Sequence, residues 1–364
     1  MNFPNMQTIE RNAALFLAAL LLVFLSGCGG AAPEKSAPDD GVSETAETSN
    51  EPQTPDDTAG LLEMPAEYDP VAVRIAALKG PTAMGLVELM SNDAYSNYDF
   101  TLAASPDEVA PRLIQGELDI ACIPANLAAV LYNRTGGEIV TLAVNTLGVL
   151  YIVENGNAVQ SIEDLRGMTI AASGKGSTPE YALYYLLRQH GLEPEIDVMI
   201  DWKSEHSECV TALATGNATV ALLPQPFVTV AQNQLEDLRV ALDLTREWDA
   251  LDNGSALITG VAAARRSFVQ EHPAAVAQFL NGYAASVAWV NENVSDAAAL
   301  IGAADIVPAP VAEKALPYCN IVCVSGDELS AILPGYLSVL HEAAPESVGG
   351  ALPESDFYYL ADAS

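Results

Sequence analysis

The sequence predicts an α/β protein of two similarly built lobes with largely parallel sheets. Three observations carry that prediction. Short apolar runs alternate with helical patterns along the chain, two loop motifs recur in the same order in each half, and a core-building composition begins only near Asp69.

The N-terminus comes first. The apolar run "AALFLAALLLVFL" (Ala13 to Leu25) follows Arg11 and is too short to span a bilayer, which suits the h-region of a signal peptide. It ends in "LSGC" (Leu25 to Cys28), which resembles the bacterial lipoprotein box. That resemblance implies a lipidated Cys28 as first residue of the mature chain, and a lipid-anchored protein on the extracytoplasmic face of a cell membrane. Residues 29–68 are rich in acids, prolines and serines and almost free of large apolar side chains. Such a segment cannot offset its chain entropy by burial, so a disordered acidic tether is expected. Roughly 295 residues remain from Asp69 onward, enough for two lobes.

Charge and cysteines narrow the function classes. With 48 acidic against 15 basic residues the net charge is −33, which argues against nucleic acid and against a basic membrane-docking face. Cys122, Cys209, Cys319 and Cys323 follow Cys28, and outside the cytoplasm disulfides are permitted. Cys122 lies in the strand-like "LDIACIP", where a thiol packs as a small hydrophobe. In "YCNIVCV", an extended backbone would hold Cys319 and Cys323 about 13 Å apart, too far to bridge. A helical backbone would bring them closer.

Strands are expected at "VAVRIAAL", "DIACI", "IVTLAV", "LYIV", "MTIAA", "VALLP" and "RVALDL", with helices such as "AMGLVELM" and "PEYALYYLLRQH" between them. Two pieces recur. Lys79 in "LKGPTAMGLVELM" matches Lys175 in "GKGSTPEYALYYLL", an offset of 96 residues. "GELDIACIP" (Gly116 to Pro124) matches "GNATVALLP" (Gly216 to Pro224) at an offset of 100. Each half thus supplies strand-to-helix loops at the carboxyl ends of strands, the edge where open α/β sheets bind ligands. The glycine-rich loop after "TIAAS" is neither G-x-x-x-x-G-K-[ST] nor G-x-G-x-x-G, so no nucleotide fingerprint is present. Ser177 or Thr178 as N-cap, with Pro179 in the first turn, would leave N–H groups free for an anion.

Together, "ALKGPTAMGLVELM", "DIACIPANLAAVLYN", "LAVNTLGVLYIVE", "SGKGSTPEYALYYLL", "VALLPQPFVTVA" and "ALDLTREWD" resemble solute-binding proteins of ABC importers. The similar branch is the nitrate, sulfonate, taurine and thiamine-precursor type, and the likeness runs from Val71 to Tyr359. It implies the type II periplasmic-binding fold: two lobes, two crossover strands and a central ligand cleft. Lobe one would span 69–148 and return over 257–364 with the C-terminal helices, and lobe two would span 149–256. The crossovers would be "GVLYIVE" and "SALITGVAAA". Carried over to this chain, the cleft residues are Lys79, Gly80, Pro81, Thr82, Ala83, Asn126, Asn145 and Thr146 from lobe one. From lobe two come Gly176, Ser177, Thr178, Tyr181, Gln225 and Phe227. Phe227, Tyr181 and Trp202 would cover an apolar or flat part of the ligand.

The implied function is capture of a small polar or anionic organic solute and its delivery to an ABC permease and its ATPase, by a monomer needing no cofactor or metal. Enzymes on the same fold, such as a chorismate dehydratase or a thiamine-pyrimidine synthase, are one alternative; a transport-independent sensory lipoprotein is another. Against catalysis, none of His190, His206, His272 and His341 falls in the expected cleft loops. His206 and Cys209 form H-x-x-C without the second pair a tetrahedral zinc site requires. Glu180 beside the loop leaves dehydration by a lone carboxylate open, although a first-turn Glu is more often a helix-dipole partner.

Overall fold

The computed structural model describes residues 70–360. The signal segment, the lipoprotein box and the tether lie outside the described residues. Each half repeats a strand–helix rhythm. The first half runs β1 (Val73–Leu78), α1 (Pro81–Met84), α2 (Val87–Ser91), β2 (Tyr98–Ala103), α3 (Pro106–Gln115), β3 (Ile120–Pro124), α4 (Ala125–Thr135) and β4 (Ile139–Leu147). The second runs β5 (Leu150–Asn155), β6 (Thr169–Ser173), α5 (Thr178–Gln189), β7 (Met199–Lys203), α6 (His206–Ala214), β8 (Val220–Pro224), α7 (Phe227–Gln234), β9 (Leu238–Asp243) and α8 (Leu244–Ala250). The chain then returns through β10 (Ile258–Arg265), α9 (Arg266–Glu271), α10 (Pro273–Glu292), α11 (Val294–Ala303), α12 (Ala309–Ala315), β11 (Ile321–Ser325) and α13 (Gly326–Ala343).

The strands form two sheets, ordered β11-β4-β10-β3-β1-β2 and β7-β6-β8-β5-β9. Setting the edge strand β11 aside, the second order repeats the first, with β6, β7 and β8 in the places of β1, β2 and β3. The sheets are mixed rather than largely parallel. β1 pairs parallel with β2 and β3, and β6 with β7 and β8, but β10 and β5 are antiparallel to their neighbours. The reason is connectivity. β5 and β10 are the strands that carry the chain from one sheet to the other, so each enters its sheet at the edge where the parallel strands end.

Both faces of each sheet are covered, which explains the near-continuous apolar runs. Successive side chains point to opposite faces, so Ala76, Ala121 and Ile123 join one core while Ile75, Ala77 and Cys122 join another. In the second sheet Ile170, Ala172 and Leu222 share the first core, and Ala171, Ala221 and Leu223 face a third cluster with α6 and α7. The first core therefore continues from one sheet to the other, and α13 seals it: Tyr336 lies 5.7 Å, ring to ring, from Trp248 of α8. At the base of β3, Asp119 is clamped by Arg74 (Nη2–Oδ1 2.7 Å) and Arg265 (Nη2–Oδ1 2.9 Å).

The first crossover is tight. A Cβ on Gly148 would stand 2.1 Å from Thr245 Oγ1, so only glycine fits where β4 hands over to β5. Cys122, Cys209, Cys319 and Cys323 are all free thiols. Cys319 lies just after a 3₁₀ turn, Leu316–Tyr318, and β11 begins at Ile321, so only Cys323 is in the strand. Among the described residues no helix is long and apolar enough to cross a membrane.

Candidate functional site

Six strand-to-helix turns, three from each sheet, surround a cavity of about 440 Å³. The first sheet contributes Lys79 to Thr82 after β1, Ala104 to Asp107 after β2, and Pro124 with Leu127 after β3. The second contributes Gly174 to Pro179 after β6, Lys203, Ser204 and His206 after β7, and Pro224, Gln225 and Phe227 after β8. Thr146, Val149, Leu150 and Thr259 of the crossovers complete the wall. This arrangement follows from topology: the parallel strands of each sheet all end at the edge that faces the other sheet.

The sequence echo extends further than two loops. At the same offset of 100, Ala104 to Glu108 matches Ser204 to Glu208, and both turns are closed alike. Glu108 Oε1 accepts from the N–H groups of Ala104 (3.1 Å) and Ser105 (3.0 Å), and Glu208 Oε2 accepts from the Ser204 N–H (2.8 Å). Each carboxylate satisfies amides that the following helix leaves orphaned.

The glycine loop is built for a reversed turn, with Gly174 at φ 85° and Gly176 at φ 76°. A Cβ at Gly176 would meet nothing within 4 Å, so that position faces open space. Ser177 holds the N-cap position by its backbone, yet its hydroxyl makes no cap bond and stands on the cavity wall. The loop is less vacant than a free N–H nest. The Gly176 N–H donates to Glu180 Oε2 at 2.5 Å and the Ser177 N–H to Gly174 O at 3.1 Å. The Thr178 hydroxyl donates to Asn126 Oδ1 at 3.3 Å. Lys175 is exposed and lines the cavity. Lys79 is paired with Asp305 (3.0 Å) and Lys203 with Asp201 (2.7 Å).

Of the fourteen expected ligand residues, ten share this wall: Lys79, Gly80, Pro81, Thr82, Thr146, Gly176, Ser177, Thr178, Gln225 and Phe227. Four do not. Ala83 is wholly buried in the core beneath α1, and Asn145, fully buried, accepts from Thr146 Oγ1 at 3.1 Å. Asn126 is 1% exposed and spent on hydrogen bonds between elements. Tyr181 packs against the first core, and Trp202 Nε1 donates to Glu195, away from the wall. Thr82 is on the wall, but its hydroxyl donates to Leu78 O at 2.8 Å. Gln225 Oε1 accepts from Thr229 Oγ1 at 2.9 Å.

His206 corrects the expectation that no histidine reaches the cleft. It starts α6 on the cavity wall, with Nδ1 2.5 Å from Ser173 Oγ and its ring 5.1 Å from that of Phe227. Desolvation pushes its pKa down to about 4, so the imidazole is neutral at physiological pH. Ser173 is only 2% exposed, so this pair cannot present a nucleophile to a bound molecule. The signal was present in the sequence, since His206 stands where the echo has Pro106 in the matching turn.

Comparison with known proteins agrees with this architecture. A family model described as ABC transporter, phosphonate, periplasmic substrate-binding protein matches residues 85–310. Among solved structures, an ABC transporter protein from Parabacteroides distasonis superposes with TM-score 0.67 at 22% identity, covering 80% of this chain and 99% of that one. The periplasmic aliphatic sulphonate binding protein SsuA from Escherichia coli gives TM-score 0.64 at 19% identity, covering 80% and 93%. The periplasmic nitrate-binding protein NrtA from Synechocystis gives 0.53 at 15%, covering 66% and 69%. No curated protein matches. The family match spans well over half of the chain, so this protein belongs to the phosphonate family of periplasmic substrate-binding proteins and is a solute-binding subunit of an ABC importer.

Proposed function

We propose that the cavity captures a small organic anion, with a phosphonate- or sulfonate-like head and a short tail, and presents it to an ABC permease. One observation carries this reading. In a chain of net charge −33, the cavity lining holds Lys79, Lys175 and Lys203 against the single acid Asp107. Asp305 and Asp201 are paired with Lys79 and Lys203, so the positive charge offered to a bound anion rests mainly on Lys175, which can draw an anion locally against the global field. Lys175, the Ser177 hydroxyl and neutral His206 supply the head-group donors, since the amides of Gly176, Ser177, Glu180 and Tyr181 are already bonded within the loop, and Phe227 with Pro224 and Leu127 supplies apolar cover. The sulfonate and nitrate binders of similar fold make these solutes the first to test.

The test is calorimetry with methylphosphonate, ethanesulfonate and nitrate, against a neutral alcohol and a cationic amine of matching size. Preference for one of the anions, weakened in Lys175→Ala, supports the assignment; preference for the neutral or cationic compound sinks it.

We further propose that Cys28 carries the lipid anchor and that the protein acts as a monomer. In this reading residues 29–68 let the lobes reach the permease while tethered. Cys28→Ala should release the protein from the membrane fraction, and unchanged fractionation would contradict the anchor.

A further inference from the structure

We propose that Asn126 is a positioning residue, an inter-lobe latch that holds the glycine loop of the second lobe against the first lobe before any solute arrives. This deepens the assignment of the cavity as the solute site. Asn126 is the second residue of α4, which packs on β4 and β10 of the first sheet. The loop Gly174 to Thr178 belongs to the second sheet. Across that divide, Asn126 Nδ2 donates to Gly176 O at 3.4 Å, and its Oδ1 accepts from Thr178 Oγ1 at 3.3 Å. The same amide donates to Ser347 O at 3.1 Å, in the short 3₁₀ turn that follows α13. Tyr336 of α13 adds a hydroxyl 3.5 Å from Thr178 Oγ1.

Asn126 and Thr178 are each 1% exposed, and a buried amide that lost these partners would forfeit them without gaining water. One side chain thus joins three parts of the chain: the start of α4, the carboxyl-terminal turn and the solute loop. It makes contacts on both of its polar atoms and has no atom left over for a ligand. Its role is to fix where the Gly176 and Ser177 groups stand relative to Lys79 and Pro124 on the opposite wall.

The experiment is hydrogen exchange of the unliganded, full-length protein, read by mass spectrometry on peptides covering 174–181. Asn126→Ala and Thr178→Val should each raise exchange there about tenfold, the scale of one lost buried hydrogen bond. Peptides from β2 and from the start of α10 should not change. The double variant should exchange little faster than Asn126→Ala alone, because that change already removes the bond that Thr178→Val removes. Thr178→Val keeps the side-chain shape, so it carries the test if Asn126→Ala lowers global stability. Unchanged loop exchange in Thr178→Val, or strictly additive effects in the double variant, would overturn the latch. The measurement needs no solute, so its failure would leave the cavity assignment standing, and failure of every solute to bind would leave the latch measurable.

Discussion

Ser173 Oγ and His206 Nδ1 sit 2.5 Å apart at the edge of the cavity, one at the end of β6 and the other at the start of α6. The bond joins two neighbouring turns of the second lobe and sets which imidazole nitrogen is left for the cleft. It also gives the protein a built-in acid limit. The His206 pKa is lowered by desolvation from 6.5 to about 4. The unfolded chain therefore takes up a proton before the folded one does, and stability falls as pH drops from 6.5 toward 4. His206→Gln should flatten the melting temperature over that window. An unchanged pH profile in the variant would place the acid sensitivity elsewhere.

A second acid-sensitive group lies at the foot of β3. Burial alone would raise the Asp119 pKa, but hydrogen bonds from Arg74 and Arg265 outweigh it and hold the carboxyl below its ordinary 3.8. Its contribution is present above that value and is lost as pH falls through the lower folded one. Asp119→Ala leaves two guanidinium groups facing each other without their anion. Chemical denaturation should show a loss of about 3 kcal/mol. A loss under about 0.5 kcal/mol, the size of an ordinary surface substitution, would show that the clamp is dispensable.

Gly148 should tolerate no side chain unless its neighbour yields. With Thr245 Oγ1 2.1 Å from the position a Cβ would take, Gly148→Ala should cost about 1–3 kcal/mol by overpacking. Thr245→Ala in the same chain should recover most of that loss. Without such recovery, backbone conformation rather than crowding explains the glycine.

The lysines of the wall should differ in effect. Lys175→Ala should weaken binding of an anionic solute by about 1 kcal/mol, less at high salt, because its charge is exposed and screened. Lys79 shares its charge with Asp305, whose side chain is 97% exposed. Asp305→Asn should leave stability within about 0.5 kcal/mol of wild type, as expected of an exposed ion pair. A titration at two salt concentrations on both variants separates these roles.

Much of this architecture is legible in the sequence, and the exceptions have physical causes. The pairing of Lys79 with Lys175 could be read because both follow a strand and precede a helix, and that of Gly116 with Gly216 because both close a helix in the left-handed conformation that favours glycine. The antiparallel entry of β5 and β10 could not, since a strand buried on both faces shows the same apolar run in either direction. Tyr181 and Asn126 illustrate a different limit. Thr178 and Tyr181 lie three residues apart on nearly the same helix face, so spacing alone does not separate them. Thr178, at the mouth of the helix, reaches the wall, and Tyr181, farther along the axis, packs on the first core. Cys319 fell on the wrong side of a strand boundary, the least certain feature of any sequence reading.

Native mass spectrometry of wild type and Gly176→Asp, both purified under mild conditions, tests the central claim most directly. Gly176 faces open space at a φ of 76°, a conformation that aspartate adopts more readily than most residues, so the variant should fold while placing a negative charge at the head-group position. The account predicts a small anionic molecule retained by the wild-type protein and absent from the variant. Equal retention of the same molecule by both proteins would contradict it and place the site elsewhere.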